Sequence, residues 1–211
     1  ALIRYRTAWH LDLVLRPFLL GGVIKETGFK GPLSLHPNCA NYRFSTDVPQ
    51  RFKFFGLRAS LNEETIGLLV QGSMPAMRFL TAVREKYPHK LEDVSRQFFK
   101  RLNQETKALS DPSDVEEGAQ KSSLTAEEIQ TCMELMKDQS IKDKLKAATE
   151  EAFSRGAFGS PTMFTTVNGK ELMFFGSDRL DQLAFVIQKE WSGPLGPQRM
   201  QAAPELPGFT A

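Results

Sequence analysis

Two short segments joined by Asn168-Gly169 limit the fold of this chain more than any other feature of the sequence. Residues 162–167 and 170–175 are rich in threonine, phenylalanine and aliphatic side chains, which favour β-strands. An Asn-Gly pair between two such runs is the strongest short signal for a two-residue hairpin turn, because both residues tolerate the positive φ angles of that turn. The sequence therefore predicts a β-hairpin over residues 162–175.

A long helical block precedes the hairpin. Apolar residues recur at helical spacing between residues 62 and 156, with charged residues opposite them. Thr125 and Glu128 fit a capping box, which predicts a helix that begins at Thr125. Residues 111–118 are predicted to form a loop between helices. The apolar stripes are Leu91, Val94, Phe98 and Leu102, then Ile141, Leu145, Ala148 and Ala152.

The N-terminal part is predicted to combine a strand with short helices. Residues 1–10 are typical of the end of a helix, and residues 11–19 of a strand with aliphatic side chains on both faces. A strand that is apolar on both faces indicates a parallel sheet covered by helices. A short helix is predicted over residues 23–27 and an irregular stretch over residues 28–61.

The chain after the hairpin is predicted to form one more helix and a tail. The helix is expected to begin at Gly176-Ser177-Asp178. The segment from Ser192 onward is predicted to be an extended tail, because it is too rich in proline and glycine for a helix or a central strand. One face of the helix is predicted to carry Leu180, Leu183, Ile187 and Trp191.

This order of elements predicts an α/β protein, with a thioredoxin-like fold interrupted by an inserted helical domain and the first strand missing from this chain. Residues 1–61 and 156–192 are predicted to form the thioredoxin-like domain, residues 62–155 the helical domain, and residues 193–211 the tail. The missing strand would be a central member of the sheet. We therefore expect these 211 residues to be part of a longer protein and, expressed alone, to fold poorly and lack activity.

The composition limits the partners of the chain. Lysine and arginine number 27 against 25 for aspartate and glutamate, so we expect no nucleic-acid partner and no membrane partner. The most apolar stretch, residues 11–24, is too short to span a bilayer. Cys39 and Cys132 form no Cys-x-x-Cys motif and the three histidines share no ligand spacing, so neither a disulfide framework nor a metal site is expected.

Ser160-Pro161 lies at the entrance of the first hairpin strand and is one candidate binding motif. A bond to proline costs little in the cis form, and a cis-proline there would leave the N–H and C=O groups of Ser160 open to a ligand. From these residues alone, a trans proline in a surface loop is the more usual interpretation.

Ser177-Asp178-Arg179 at a helix start is a second candidate motif. Backbone N–H groups at a helix start favour an anion, while Asp178 can accept from an ammonium group and Arg179 can pair with a carboxylate. Such a set suits a zwitterionic ligand, although an ordinary N-cap is the more usual interpretation of these residues alone.

Five motifs occur in sequence along the chain: Arg16-Pro17, AMRFLTAV at residues 76–83, GAFGSP at residues 156–161, FGSDR at residues 175–179 and EWSGP at residues 190–194. In this order they resemble the kappa class of glutathione transferases, and the likeness covers roughly residues 1–194. The resemblance implies a thioredoxin-like fold with an inserted helical domain, glutathione as co-substrate, no cofactor, a small apolar electrophile as the other substrate, and a homodimer.

The resemblance also implies roles for individual residues. Ser160 resembles the residue before the cis-proline of the family, here Pro161, and the backbone of that residue pairs with the cysteinyl part of glutathione. Ser177 and Asp178 resemble the residues that hold the γ-glutamyl end, with Arg179 beside them. The resemblance therefore favours the ligand-binding interpretation of both motifs.

Two positions depart from the family pattern. Phe29 stands where the family has an asparagine that reaches glutathione, and Ser160 stands where other members often have leucine. The catalytic serine of the family lies in a Ser-Pro-Tyr motif between the first strand and the first helix. The resemblance places that serine upstream of Ala1 and implies no catalytic residue in this chain. Its hydroxyl is implied to donate to the glutathione sulfur and to favour the nucleophilic thiolate.

The resemblance implies a transferase that conjugates glutathione to small electrophiles such as aryl halides. A glutathione-dependent isomerase of the 2-hydroxychromene-2-carboxylate type is an alternative on the same fold, and these motifs do not separate the two. A truncated, non-catalytic glutathione-binding protein is a further alternative. A dithiol oxidoreductase has little support because neither cysteine has a neighbouring partner. Mitochondria are the implied location and peroxisomes the alternative, although the C-terminal residues 209–211 do not match a Ser-Lys-Leu signal.

Overall fold

The computed structural model describes residues 1–28, 36–58 and 62–197. The chain divides into two compact units. The first unit contains residues 1–14, residues 53–57 and the chain from residue 161 onward, and the second contains residues 15–52 and 58–160. The domain boundaries after residues 61, 155 and 192 stay predictions.

The first unit contains the expected β-hairpin. Strand β1 (Thr162–Val167) pairs antiparallel with β2 (Lys170–Phe175), from Thr162 opposite Phe175 to Val167 opposite Lys170. Asn168 has φ 52° and Gly169 has φ 76°, so both turn residues have the left-handed conformation that the Asn-Gly pair predicts. The hairpin and its turn are therefore confirmed, and these two strands form the one sheet of the described residues.

Two helices of the first unit are short. Helix α1 spans Leu2–Tyr5, and α11 (Leu180–Val186) follows a 3₁₀ turn at Ser177–Arg179. The α-helix expected to begin at residues 176–178 thus begins later. It also ends before Trp191, because Gln188 has a left-handed φ of 55° that breaks the helical path. The prediction that Ile187 and Trp191 lie on this helix is therefore wrong, since Ile187 is its C-cap.

An aromatic cluster forms the core of the first unit. Tyr5, Trp9 and Ala184 are buried there, and the Trp191 ring stacks on Tyr5 at a centroid distance of 5.0 Å. The Tyr5 hydroxyl donates to the Gly193 carbonyl at 2.5 Å, and the Trp9 indole N–H donates to the Glu190 carbonyl at 3.0 Å. These bonds fix residues 190–193 against the N-terminal segment. Of the predicted tail, residues 198–211 lie outside the described residues.

The second unit is a set of packed helices. Helix α6 is its centre and contacts α7, α8, α9 and α10. The bounds are α2 (Leu20–Thr27), α3 (Pro37–Tyr42), a π-helical segment (Arg43–Asp47), α4 (Val48–Phe54, which continues into the first unit), α5 (Glu63–Gln71), α6 (Met74–Lys86), a 3₁₀ turn (Pro88–Lys90), α7 (Leu91–Asn103), α8 (Pro112–Ala119), α9 (Ala126–Leu135) and α10 (Gln139–Ser154).

The predicted apolar stripes are buried at Leu91, Val94, Phe98, Ile141 and Leu145, whereas Leu102, Ala148 and Ala152 are half-buried. Phe79 of α6 and Phe98 of α7 pack with ring centroids 5.9 Å apart, and Ile141 of α10 is buried in the same cluster. The capping box of α9 is also confirmed, since the Thr125 N–H donates to the Glu128 carboxylate at 2.7 Å and the Glu128 N–H donates to the Thr125 hydroxyl at 3.2 Å.

The strand predicted over residues 11–19 is wrong. Burial alternates there, because Leu13 and Leu15 are half-buried while Val14 is 60% exposed. That alternation has the period of a strand, but a strand also needs a ladder of hydrogen bonds to a neighbour. The ends of the segment are held in other ways: the Leu11 N–H donates to the Arg6 carbonyl at 2.8 Å, and the Leu19 N–H donates to the Thr149 hydroxyl at 3.0 Å.

Two stretches predicted to be irregular contain helices. The loop predicted over residues 111–118 is helix α8, which Pro112 opens while the Asp114 carboxylate accepts from the Asp111 N–H at 3.3 Å. The irregular stretch predicted over residues 28–61 is helical from residue 37 to residue 54. Residues 29–35 and 59–61 of this stretch lie outside the described residues.

No single helix in the described ranges is long and apolar enough to cross a membrane. Helices α5 and α6 pass a length and composition test only when taken together, and the chain bends by 67° between them.

Candidate functional site

The two predicted binding motifs flank the open end of the hairpin. Thr162 and Phe175 form the last pair of the sheet, with Pro161 immediately before β1 and Gly176 immediately after β2. The Gly176 N–H donates to the Pro161 carbonyl at 3.0 Å, which holds the two motifs together across this end. Pro161 and Gly176 are far apart in the sequence, so this hydrogen bond becomes visible only in the structure.

Ser160 reaches this end of the hairpin through its peptide bond with Pro161. Ser160 and Pro161 are both exposed to solvent. The cis geometry expected of the bond between them stays a prediction, as does the pairing of the Ser160 backbone with a ligand.

The residues after β2 form a turn that presents polar groups. Gly176, which has φ 99° and ψ 152°, immediately precedes the 3₁₀ turn. Ser177, the first residue of that turn, is half-buried. Leu180 is buried at the start of α11 and anchors the turn from its other end. The turn therefore combines backbone N–H groups with the charged side chains of residues 178 and 179, which suits a ligand that carries both signs of charge.

The two charged side chains of the turn contact each other. An Arg179 guanidinium nitrogen lies 3.4 Å from an Asp178 carboxylate oxygen, and the side chains are 47% and 35% exposed. An ion pair at this exposure contributes little to stability and is weakened by salt. A ligand that offers an ammonium group and a carboxylate can thus compete for both side chains.

The two cysteines do not form a dithiol site. Cys39 is exposed on α3, and Cys132 is buried in the core of the second unit; neither takes part in a disulfide. Burial, followed by the nearby charge of Glu128, raises the pKa of the Cys132 thiol to about 11. That thiol stays protonated at neutral pH, and only the thiolate is a nucleophile.

Two remaining predictions concern residues beyond this turn. Phe29, expected in place of the family asparagine, lies outside the described residues. Within residues 1–28, 36–58 and 62–197, no group of three or more His, Cys, Asp or Glu side chains is placed to hold a metal ion.

One residue of the turn was missed by the sequence analysis. Gly176 carries both the hydrogen bond to Pro161 and a left-handed φ, yet the sequence interpretation used it only to mark the start of a helix. The available signal was a glycine directly between a strand and a Ser-Asp pair, which is typical of a turn that needs φ above zero.

Comparison with known proteins places this hairpin and helical set in a family. Residues 1–188 match the family model described as the DSBA-like thioredoxin domain, so the chain belongs to that family. The thioredoxin-like fold class predicted from the sequence is thereby confirmed.

Curated relatives narrow the family to one class. Glutathione S-transferase kappa 1 from Homo sapiens and its counterpart from Rattus norvegicus are each 34% identical to this chain over 197 residues, which cover 93% of this chain and 86% of the relative. Glutathione S-transferase kappa 2 from Caenorhabditis elegans is 26% identical over 202 residues, covering 94% and 88%. The chain is a member of the kappa class of glutathione transferases, as its motifs predict.

Proposed function

We propose that this chain carries the glutathione-binding residues of a transferase that conjugates glutathione to small electrophiles such as aryl halides. Kinship with kappa-class transferases supports the transferase class. The observation that carries the proposal is the hydrogen bond between Gly176 and Pro161, because it joins the two motifs that resemble the glutathione-binding residues of that class.

The γ-glutamyl end of glutathione is a zwitterion, with one ammonium group and one carboxylate. In this proposal the carboxylate accepts from backbone N–H groups of the turn at Ser177 and pairs with the Arg179 guanidinium, while the ammonium group donates to the Asp178 carboxylate. Ser160, the residue before Pro161, would pair through its backbone N–H and C=O groups with the cysteinyl part of glutathione.

The transfer itself is a nucleophilic substitution at the electrophilic carbon, with the glutathione sulfur as the nucleophile. The glutathione thiol loses its proton to solvent, the thiolate forms a carbon–sulfur bond with the electrophilic carbon, and the carbon–halogen bond breaks to release a halide ion. The residues of this chain contribute by holding the tripeptide so that its sulfur meets the electrophile. The family's Ser-Pro-Tyr motif does not occur in the 211 residues, so the proposal assigns binding roles here and no catalytic residue.

Titration calorimetry of the full-length protein with reduced glutathione tests the binding roles. The Asp178→Ala variant should bind glutathione more weakly by roughly 1 to 3 kcal/mol, the scale of a lost charge-assisted hydrogen bond. Asp181→Ala is the matched control, because Asp181 is an exposed carboxylate three positions further on that accepts from the Gln182 N–H at 2.8 Å. Equal affinity of the Asp178→Ala variant and the unsubstituted chain would reject the assignment.

Turnover separates a transferase from the alternatives. Consumption of glutathione together with release of chloride from 1-chloro-2,4-dinitrobenzene supports transfer. Isomerisation of a 2-hydroxychromene-2-carboxylate with no net consumption of glutathione favours the isomerase instead. Binding of glutathione with neither reaction leaves a glutathione-binding protein, the remaining alternative.

Two accompanying properties belong to the same proposal. We propose that the protein is a homodimer, which light scattering coupled to gel filtration would test. We also propose a mitochondrial location, with peroxisomes as the alternative, which organelle fractionation of cells that express the native protein would test.

A further inference from the structure

Gly176 occupies a position where any side chain would meet the Asp178 carboxylate. A Cβ atom built on Gly176 would overlap an Asp178 carboxylate oxygen, which therefore occupies the space that a side chain at residue 176 would need. The other Asp178 carboxylate oxygen lies 3.4 Å from an Arg179 guanidinium nitrogen. The Asp178 carboxylate thus lies between Gly176 and the Arg179 guanidinium.

The backbone of Gly176 is fixed as well. Its N–H donates to the Pro161 carbonyl at 3.0 Å, and its φ of 99° with ψ of 152° lies in a region that essentially only glycine adopts. Gly176 therefore contacts both motifs: its N–H binds the Pro161 carbonyl, and its lack of a Cβ leaves room for the Asp178 carboxylate.

We propose that Gly176 is a positioning residue for the γ-glutamyl subsite, and that it acts by giving the Asp178 carboxylate the space that a Cβ would fill. The inference rests on the proposed glutathione function. It adds a residue for which the sequence motif gave no binding role. Gly176 has this role because it lacks a Cβ atom.

Another glycine of the hairpin provides a matched control. Gly169 has a φ of 76° in the hairpin turn, but a Cβ built there meets nothing within 4 Å. Substitution of either glycine by alanine places an alanine at a positive φ, with greater backbone strain at residue 176, and only the substitution at residue 176 displaces the Asp178 carboxylate. The double-mutant cycle with Asp178→Ala separates the backbone strain from the displaced carboxylate.

The first experiment compares Gly176→Ala with Gly169→Ala, each in the full-length protein, by titration with reduced glutathione. The Gly176→Ala variant should bind glutathione at least about tenfold more weakly, and the Gly169→Ala variant within about twofold of the unsubstituted chain. Equal losses of affinity in the two variants would overturn the inference, as would full affinity in Gly176→Ala. If the unsubstituted full-length protein binds no glutathione, the proposed function fails and the inference fails with it.

A second experiment remains decisive if Gly176→Ala folds poorly. The urea midpoints of Gly176→Ala, Asp178→Ala and the double variant form a double-mutant cycle. Removal of the carboxylate should relieve the overlap, so the double variant should unfold at a higher urea concentration than Gly176→Ala alone. Additive losses in the double variant would show that Gly176 does not act through Asp178.

Discussion

The buried guanidinium of Arg101 lies 3.1 Å from the carboxylate of Glu117, whose side chain is 46% exposed. Arg101 also donates to the Ala108 carbonyl at 2.7 Å and to the Asp114 carboxylate at 3.1 Å. One side chain of α7 therefore connects the following loop with the first and second turns of α8. Arg101 is the most buried charged residue among the described residues of the helical unit.

Replacement of Arg101 by methionine should destabilise the helical unit. Methionine fills part of the space but leaves the Ala108 carbonyl without this donor and the Asp114 carboxylate without its cation. Because Asp114 is partly exposed and can be hydrated, we expect a loss of about 2 kcal/mol in the free energy of unfolding, below the full cost of an unpaired buried charge. Urea unfolding followed by circular dichroism measures it.

The control for that variant is Arg96→Met on the same helix. Arg96 forms an exposed pair with Glu92, one turn earlier on α7, at 2.8 Å. Its loss should change the free energy of unfolding by less than about 0.5 kcal/mol. A similar loss in both arginine variants would contradict the role given to Arg101.

Glu117 should make stability depend on pH in acid. Hydrogen bonds from Arg101, then from Lys107, lower the pKa of Glu117 from 4.5 to about 2. A carboxyl whose pKa is lower in the folded state stabilises it fully above the unfolded pKa, and that contribution disappears as pH falls through the folded pKa. The difference in unfolding free energy between the unsubstituted chain and Glu117→Gln should therefore be constant near neutral pH and shrink between about pH 4.5 and pH 2. A difference that does not change over this interval would contradict the assignment.

Features whose two partners lie within a few residues could be predicted from the sequence. Asn168-Gly169 predicted the hairpin register, and the Thr125–Glu128 capping box predicted the start of α9. The start of α8 belongs to this group too, since Asp111 and Asp114 are three positions apart. It was assigned to a loop because proline and aspartate also favour turns.

Features that depend on distant partners could not be predicted in the same way. Residues 11–19 have the alternation of a strand, but a strand is defined by a hydrogen-bonded neighbour, which a local pattern does not show. At the candidate site, the charged pair after β2 was visible in the sequence. The role of Gly176 was not, because it depends on where the Asp178 carboxylate folds.

The two cysteines should differ sharply in reactivity. Cys39 is exposed, whereas burial raises the pKa of the Cys132 thiol to about 11. At pH 7.5 the folded chain should react with Ellman's reagent at Cys39 alone, and Cys132 should react only on unfolding. In Cys39→Ala the folded protein should therefore give no rapid reaction. Rapid reaction of this variant would show that the core around Cys132 opens easily.

Tryptophan fluorescence should report on the first unit alone, because the two tryptophans of the chain, Trp9 and Trp191, both lie in its aromatic cluster. The buried Tyr5 hydroxyl donates to the Gly193 carbonyl at 2.5 Å and accepts from the Ser192 N–H at 2.9 Å. Tyr5→Phe removes both bonds while it keeps the ring, so we expect the unit to lose about 1 to 2 kcal/mol of stability. The exposed Tyr42→Phe, in the other unit, is the control and should leave the fluorescence transition in urea unchanged. Identical fluorescence midpoints for Tyr5→Phe and the unsubstituted chain would show that these bonds do not hold residues 192 and 193 in place.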